Sequence, residues 1–177
     1  MPALKLNEQA KPFTLPGMDD KVHMLSDYKD KEAVAVIFSC NHCPYVKAWE
    51  DRMVEIQGDY GQKGVQLIVI NSNDVSKVPD DSFPKMKERA KEKGFNFPYL
   101  FDESQAVAQA YGAERTPEVF LFDKQGQLRY HGAIDDNYDH PGAVKDHYLR
   151  NALDAVLGTK PLALATTQPQ GCTIKWK

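Results

Sequence analysis

The stretch VAVIFSCNHCPYVKAW, Val34–Trp49, decides the fold. Its apolar, β-branched opening, Ala33–Phe38, reads as a buried central strand. The run stops at Cys40 and Cys43, spaced C-x-x-C, with a histidine between them and a proline straight after. Beyond the pair, Val46, Trp49, Met53 and Ile56 recur at spacings of three and four, so the segment reads as a helix with one apolar face. Gly61 and Gly64 mark its end. A second apolar run, VQLIVIN (Val65–Asn71), reads as another buried strand. Strand, helix, strand is a βαβ unit, which implies parallel strands and a right-handed crossover.

The second half changes rhythm. DDSFPKMKERAKEKG is charged and helix-forming, with Asp81 or Ser82 as its cap. YLFD is a short strand and ESQAVAQAYG a short helix ended by Gly112. EVFLFDKQGQLRYHGAI reads as a hairpin around Asp123-Lys124-Gln125-Gly126. AVKDHYLRNALDAVLG reads as one amphipathic helix from Ala143 to Gly158. DDNYDHPG, Asp135–Gly142, reads as a solvated turn. The expectation is a single α/β domain over 1–177 with a central mixed sheet flanked by helices, an N-terminal extension over 1–30 and a C-terminal tail over 159–177.

A chain of 177 residues with a net charge of −3 can bury a sizeable core unaided. The charge argues against a general nucleic-acid binder. No apolar h-region opens the chain and no segment is apolar enough to span a bilayer, so no membrane role and a cytoplasmic location are expected. Three cysteines, two of them clustered, are too few for a disulfide framework and read as catalytic or metal-binding in a reducing compartment.

A redox C-x-x-C needs one thiolate that attacks and a second thiol that closes the ring. Here the motif follows a strand and opens a helix, where orphan N–H groups and the positive dipole end stabilise a thiolate. Cys40 is then the exposed nucleophile and Cys43 the more buried resolving thiol. Pro44 suits the first turn, where a missing N–H costs little. His42, inside the ring, would favour the Cys40 thiolate and shift the couple toward an oxidant.

FSCNHCPYV, INSND, RTPEVFLFD and GQLRYHGAIDD together resemble the thioredoxin-fold redoxins of the TlpA/ResA-like and AhpC/TSA-like group, from about Phe13 to Leu157. The resemblance implies a thioredoxin-like fold with an insertion before the cis-proline half, a cis Thr116-Pro117 bond beside the cysteines, and a Thr116 backbone that hydrogen-bonds a bound extended peptide. It implies a thiol–disulfide oxidoreductase without cofactor, with antioxidant activity among the family's roles. Its partners are protein or small-molecule disulfides and dithiols, a thioredoxin-type reductant being one candidate. The chain departs from the family pattern in two places. Val34 stands where thioredoxin has a buried aspartate, and Val46 where the ResA-like group often has a glutamate. Glu118 is the substitute candidate for proton acceptor to Cys43, against a solvated strand-end carboxylate.

Two alternatives stand beside this. A divergent peroxiredoxin would need P-x-x-x-T/S-x-x-C, but Ile37 and Ala33 occupy those positions before Cys40, and Cys40 and Val36 those before Cys43. A metal-handling module would need a second ligand pair, but His131, His140, His147 and Cys172 are scattered, so no metal site is expected. Cys172, in QGCTIKWK, has two readings: a packed thiol in a tail pinned by Ile174 and Trp176, or a third redox thiol reaching the C-x-x-C.

Overall fold

The computed structural model describes residues 2–177. A hairpin of β1 (Thr14–Pro16) and β2 (Val22–Met24) precedes β3 (Ala33–Ser39), α1 (Pro44–Tyr60) and β4 (Val65–Asn71). Then come α2 (Phe83–Lys93), β5 (Tyr99–Phe101), α3 (Ala106–Tyr111) and the two-residue β6 (Arg115–Thr116). The hairpin β7 (Glu118–Asp123) and β8 (Leu128–Gly132), α4 (Tyr148–Val156) and β9 (Cys172–Thr173) complete the chain. The central sheet runs β5-β4-β3-β7-β8. β3 pairs parallel with β4 and antiparallel with β7, so the sheet is mixed, as expected.

All seven residues of β3 are buried, because the sheet is covered on both faces. Alternate residues point to opposite faces of a strand. Ala33, Ala35 and Ile37 meet Trp49 and Met53 of α1, Met86 of α2 and Leu149 and Leu153 of α4. Val34, Val36 and Phe38 meet Tyr111 of α3, Phe120 of β7 and three residues from the chain's beginning, Leu4, Phe13 and Leu15. The expected N-terminal extension therefore supplies core side chains rather than hanging from the body; Met1 lies outside the described residues. The apolar stripe of α1 is buried as the spacing predicts. No helix among the described residues is long and apolar enough to cross a membrane.

Two expectations need correction. The helix predicted from Ala143 begins only at Tyr148. Asp136 holds the preceding loop, its backbone N–H donating to the Asp146 carbonyl (3.2 Å) and its carboxylate accepting from the Lys145 N–H (3.0 Å). DDNYDHPG is not a wholly solvated turn. Asp135 is buried and accepts two hydrogen bonds from Arg52 of α1, at 2.9 and 2.7 Å. Arg52 also donates to the carbonyls of Asn137 (2.6 Å) and Tyr138 (2.5 Å). The tail, whose sequence carries little helical pattern, is an ordered part of the body: β9 pairs antiparallel with β6.

The Arg52 pair fixes the helix that carries the cysteines. Arg52→Leu leaves the Asp135 charge buried without its cation, and the loss expected from removing one partner is about 3–5 kcal/mol. Denaturant unfolding measures it, and a change under 1 kcal/mol would mean that Asp135 rehydrates freely.

Candidate active site

The C-x-x-C lies where the buried β3 gives way to α1. Cys43 is the N-cap of α1 and Pro44 takes a first-turn position, where its missing N–H costs nothing. The sulfur of Cys43 makes no strict capping hydrogen bond, yet the N–H groups of Val46 and Cys172 face it. Cys40 is 1 % exposed and Cys43 0 %. The expected exposure of Cys40 is not found, because residues 171–173 run across the cysteines.

A buried carboxylate, Asp81, fixes the loop between the cysteines. Its oxygens accept from the Asn41 N–H (2.7 Å) and the Asn73 side chain (2.8 Å), and pair with His42 Nδ1 (2.6 Å). The Asp81 carbonyl accepts from the Asn71 side chain (2.8 Å). Asn41 in turn accepts from the Tyr99 hydroxyl (2.7 Å) and donates to the Asp80 carbonyl (2.9 Å). Of the two caps the sequence offered for α2, Asp81 and Ser82, it is Ser82 that takes the place, accepting from the Lys85 N–H. His42 therefore faces a carboxylate. The ligand atoms of Cys40, His42 and Asp81 lie within 4.8 Å of one another. Since the Asp81 oxygens are already taken by three donors, the cluster reads as a brace rather than a metal centre.

The Thr116–Pro117 bond is cis. Thr116 touches both cysteines: its Oγ1 lies 3.6 Å from the Cys40 sulfur, and its carbonyl oxygen 3.5 Å from the Cys43 sulfur. Glu118 is buried, not solvated. One oxygen accepts from the N–H groups of Glu114 and Arg115, both at 2.9 Å, and the other pairs with His131 Nε2 at 2.6 Å. These partners include no cysteine. Glu118 braces the turn before Pro117, and the proton-acceptor role expected of it finds no contact here.

The tail forms the roof. Cys172 pairs with Thr116 and Thr173 with Arg115. Ile174 is 3 % exposed within the core cluster around Phe38, and Trp176 packs against the same cluster. Its backbone is tied as firmly: the Ile174 N–H donates to the Glu114 carbonyl (2.9 Å), and the Lys175 carbonyl accepts from the Asp74 N–H and the Gln105 side chain, both at 2.8 Å. A Cβ at Gly171 would run into the Thr116 carbonyl, so only glycine permits this close approach. Cys172 packs, half-buried, against Cys40, Cys43 and Val46.

Three sulfurs in contact titrate together. With the tail docked, the Cys43 thiol is pulled down to about 4, first by the Cys40 thiol donating to it, then by the Cys172 thiol and the two N–H groups, against the cost of burial. The Cys40 thiol is pushed up by that same bond, by burial and by the Asp81 charge. Burial and the bond to Cys43 push Cys172 up to about 11. The sequence placed the acidic thiol at Cys40; the docked tail supplies Cys43 with donors that Cys40 lacks.

The resulting pH dependence has a definite sign. A free thiol ionises near pH ~8.5. One thiolate of this pair forms as pH rises through about 4 and persists at neutral pH. Thiolate absorbance should therefore already be present at pH 6 and fall only on acidification. Asp81→Asn, which removes the charge facing Cys40, should move the upper ionisation downward. An absorbance that rises only above pH 8 contradicts the shared-proton arrangement.

A sequence model of the AhpC/TSA family matches residues 6–131. The thiol-disulfide oxidoreductase ResA of Geobacillus thermodenitrificans is 28% identical over 127 residues, covering 72% of this chain and 68% of that protein. The crystal structure of an uncharacterized conserved protein from Geobacillus kaustophilus superposes with a TM-score of 0.90 at 42% identity, covering 100% of this chain and 97% of the other. A putative thiol:disulfide interchange protein DsbE from Chlorobium tepidum shares the fold, with a TM-score of 0.72 at 23% identity over 88% of this chain and all of that one. With its C-x-x-C at the strand–helix junction and its cis-proline alongside, the chain belongs to the AhpC/TSA family and has the thioredoxin-like fold.

Proposed function

We propose that the chain is a thiol–disulfide oxidoreductase, exchanging electrons with protein or small-molecule disulfides through Cys40 and Cys43. The observation that carries this reading is a pair of buried sulfurs at a helix N-terminus, with the Thr116 hydroxyl against Cys40 and the Thr116 carbonyl against Cys43. A helix N-terminus favours the thiolate, and the thiolate is the nucleophile. The curated relatives that carry the name thiol-disulfide oxidoreductase support the same class.

Thr116 gives the two sulfurs different roles once the tail lifts. Its carbonyl can only accept, so it favours a protonated Cys43 once the Cys172 donors are gone. Its hydroxyl can donate, but in the docked state it donates to the Cys172 carbonyl (3.5 Å). Lifting the tail frees that hydroxyl for a Cys40 thiolate and strips Cys43 of the Cys172 donors. Cys40 then attacks the substrate disulfide, a mixed disulfide forms on Cys40, and Cys43 displaces the substrate thiol. His42, held by Asp81, and Glu118, beneath Pro117, act as positioning residues.

Insulin-disulfide reduction tests the assignment. Cys40→Ser should lower the rate at least about 10²-fold, the scale of losing one member of a group that acts as a unit. Cys43→Ser should instead accumulate a mixed disulfide on Cys40. Full activity in Cys40→Ser, or trapping on Cys43 alone in the single-cysteine variants, overturns it.

Access is testable separately. Gly171→Val prevents the close approach of the tail at its sulfur end while Ile174 still anchors it. Alkylation of the pair at neutral pH should accelerate by roughly tenfold, equivalent to ~1.4 kcal/mol of lost docking. An unchanged rate means that the thiols are reached by another path.

A further inference from the structure

We infer that Cys172 is a third redox residue: its thiol exchanges with the Cys40–Cys43 disulfide and carries the oxidising equivalent from the buried pair to the half-buried tail. The inference rests on the proposed redox role of the pair and extends it to a residue 55 positions beyond Pro117, the last residue of the C-x-x-C and cis-proline motifs.

Three independent features place this thiol. β9 pairs in register with β6, which puts Cys172 opposite Thr116, the residue that touches both cysteines. Gly171 lets the tail backbone settle onto the Thr116 carbonyl. Ile174, Lys175 and Lys177 then fix the strand from the other side, the last through the Gln105 side chain at 3.1 Å. An inert packing thiol would need none of this precision at the sulfur end. Cys172 packs against both cysteines, and its thiol hydrogen-bonds that of Cys43.

The exchange balances without an outside oxidant. The Cys172 sulfur attacks the Cys43 sulfur of the Cys40–Cys43 disulfide. The Cys43–Cys172 bond forms, the Cys40–Cys43 bond breaks, and Cys40 leaves as a thiolate that takes the proton given up by Cys172. One disulfide and one thiol are present before and after. In the reduced protein the charge on Cys43 helps keep Cys172 protonated; in the disulfide that charge is gone, while Lys175 and Arg115 still favour a Cys172 thiolate. Thiol–disulfide exchange within a cluster of this kind proceeds by direct sulfur attack.

The test uses the full-length protein. It is oxidised by oxidised glutathione to one disulfide per chain, alkylated with N-ethylmaleimide and digested with trypsin. The Cys40–Cys43 segment and the Cys172 segment fall on different peptides. The expected result is a population in which Cys172 is linked to the Cys40–Cys43 peptide and Cys40 carries the label. Cys40→Ser should form the Cys43–Cys172 disulfide, whereas Cys43→Ser should form no Cys40–Cys172 disulfide. If every oxidised molecule holds the Cys40–Cys43 bond with Cys172 labelled, the third-thiol role is overturned while the oxidoreductase reading stands. If glutathione oxidises no pair of these cysteines, both are overturned.

Discussion

The antiparallel pairing of Cys172 with Thr116 is the contact on which the site depends. A two-residue strand has little stability of its own, since short paired segments need a wider sheet or a packed face. Here it is held from both ends. Ile174 sits in the core around Phe38, a burial worth about 1.5–3 kcal/mol. At the other end, Gly171 lies on the Thr116 carbonyl. The pairing closes a roof over two thiols that would otherwise be open to solvent, and it assigns the Thr116 hydroxyl proton to the tail instead of to Cys40.

The floor of the site is made differently. Asp81 is fully buried, and an unpaired buried carboxylate would cost far more than the loop could return. Asn41, His42 and Asn73 supply its partners, so the charge is retained by hydrogen bonds from the loop it organises and from the segment after β4. Removing any one partner leaves the others holding an under-satisfied charge. That asymmetry fixes the shape of the loop between the cysteines more firmly than local backbone preference can. The same charge faces Cys40 and raises its ionisation. The structural brace and the chemical poise are therefore one feature, and the thioredoxin-type acid that Val34 replaces has no direct equivalent.

What could be read from the sequence was whatever follows from short-range periodicity and local chain chemistry. The stripe Val46, Trp49, Met53 and Ile56, the alternating burial of β3 and the placement of Cys43 and Pro44 at a helix start all follow from neighbours within a few residues. The cis bond at Pro117 was legible through resemblance. Long-range partners were not. Asp81 looked like a helix cap because its true partners lie forty residues away at Asn41 and His42. Asp135 looked solvated because Arg52 is distant in sequence. The start of α4 was misplaced because Ala143–His147 has helical composition, yet Asp136 captures its backbone from outside. Ile174 and Trp176 gave a usable signal for the tail, since large apolar residues at a chain end require a place to be buried.

Tethering gives the docked tail its leverage. A segment joined to the body by a short chain competes for the groove at an effective concentration of about millimolar, whatever the concentration of free partners. An extended peptide that pairs with Thr116 must therefore replace a strand already present, with its own backbone bonds and its own sulfur. Backbone pairing alone leaves such a competitor no advantage, because the tail makes the same bonds. The advantage has to come from side chains that reach surfaces the tail does not use, or from the covalent step itself. The anchoring is uneven, deep at Ile174 and merely close-fitting at Gly171, so the end that opens at least cost is the one over the sulfurs. A strand that peeled from the reactive end while remaining fixed at Ile174 would let the thiols meet a partner without losing the tail's anchor, and would divide partners by how much they bind beyond the strand.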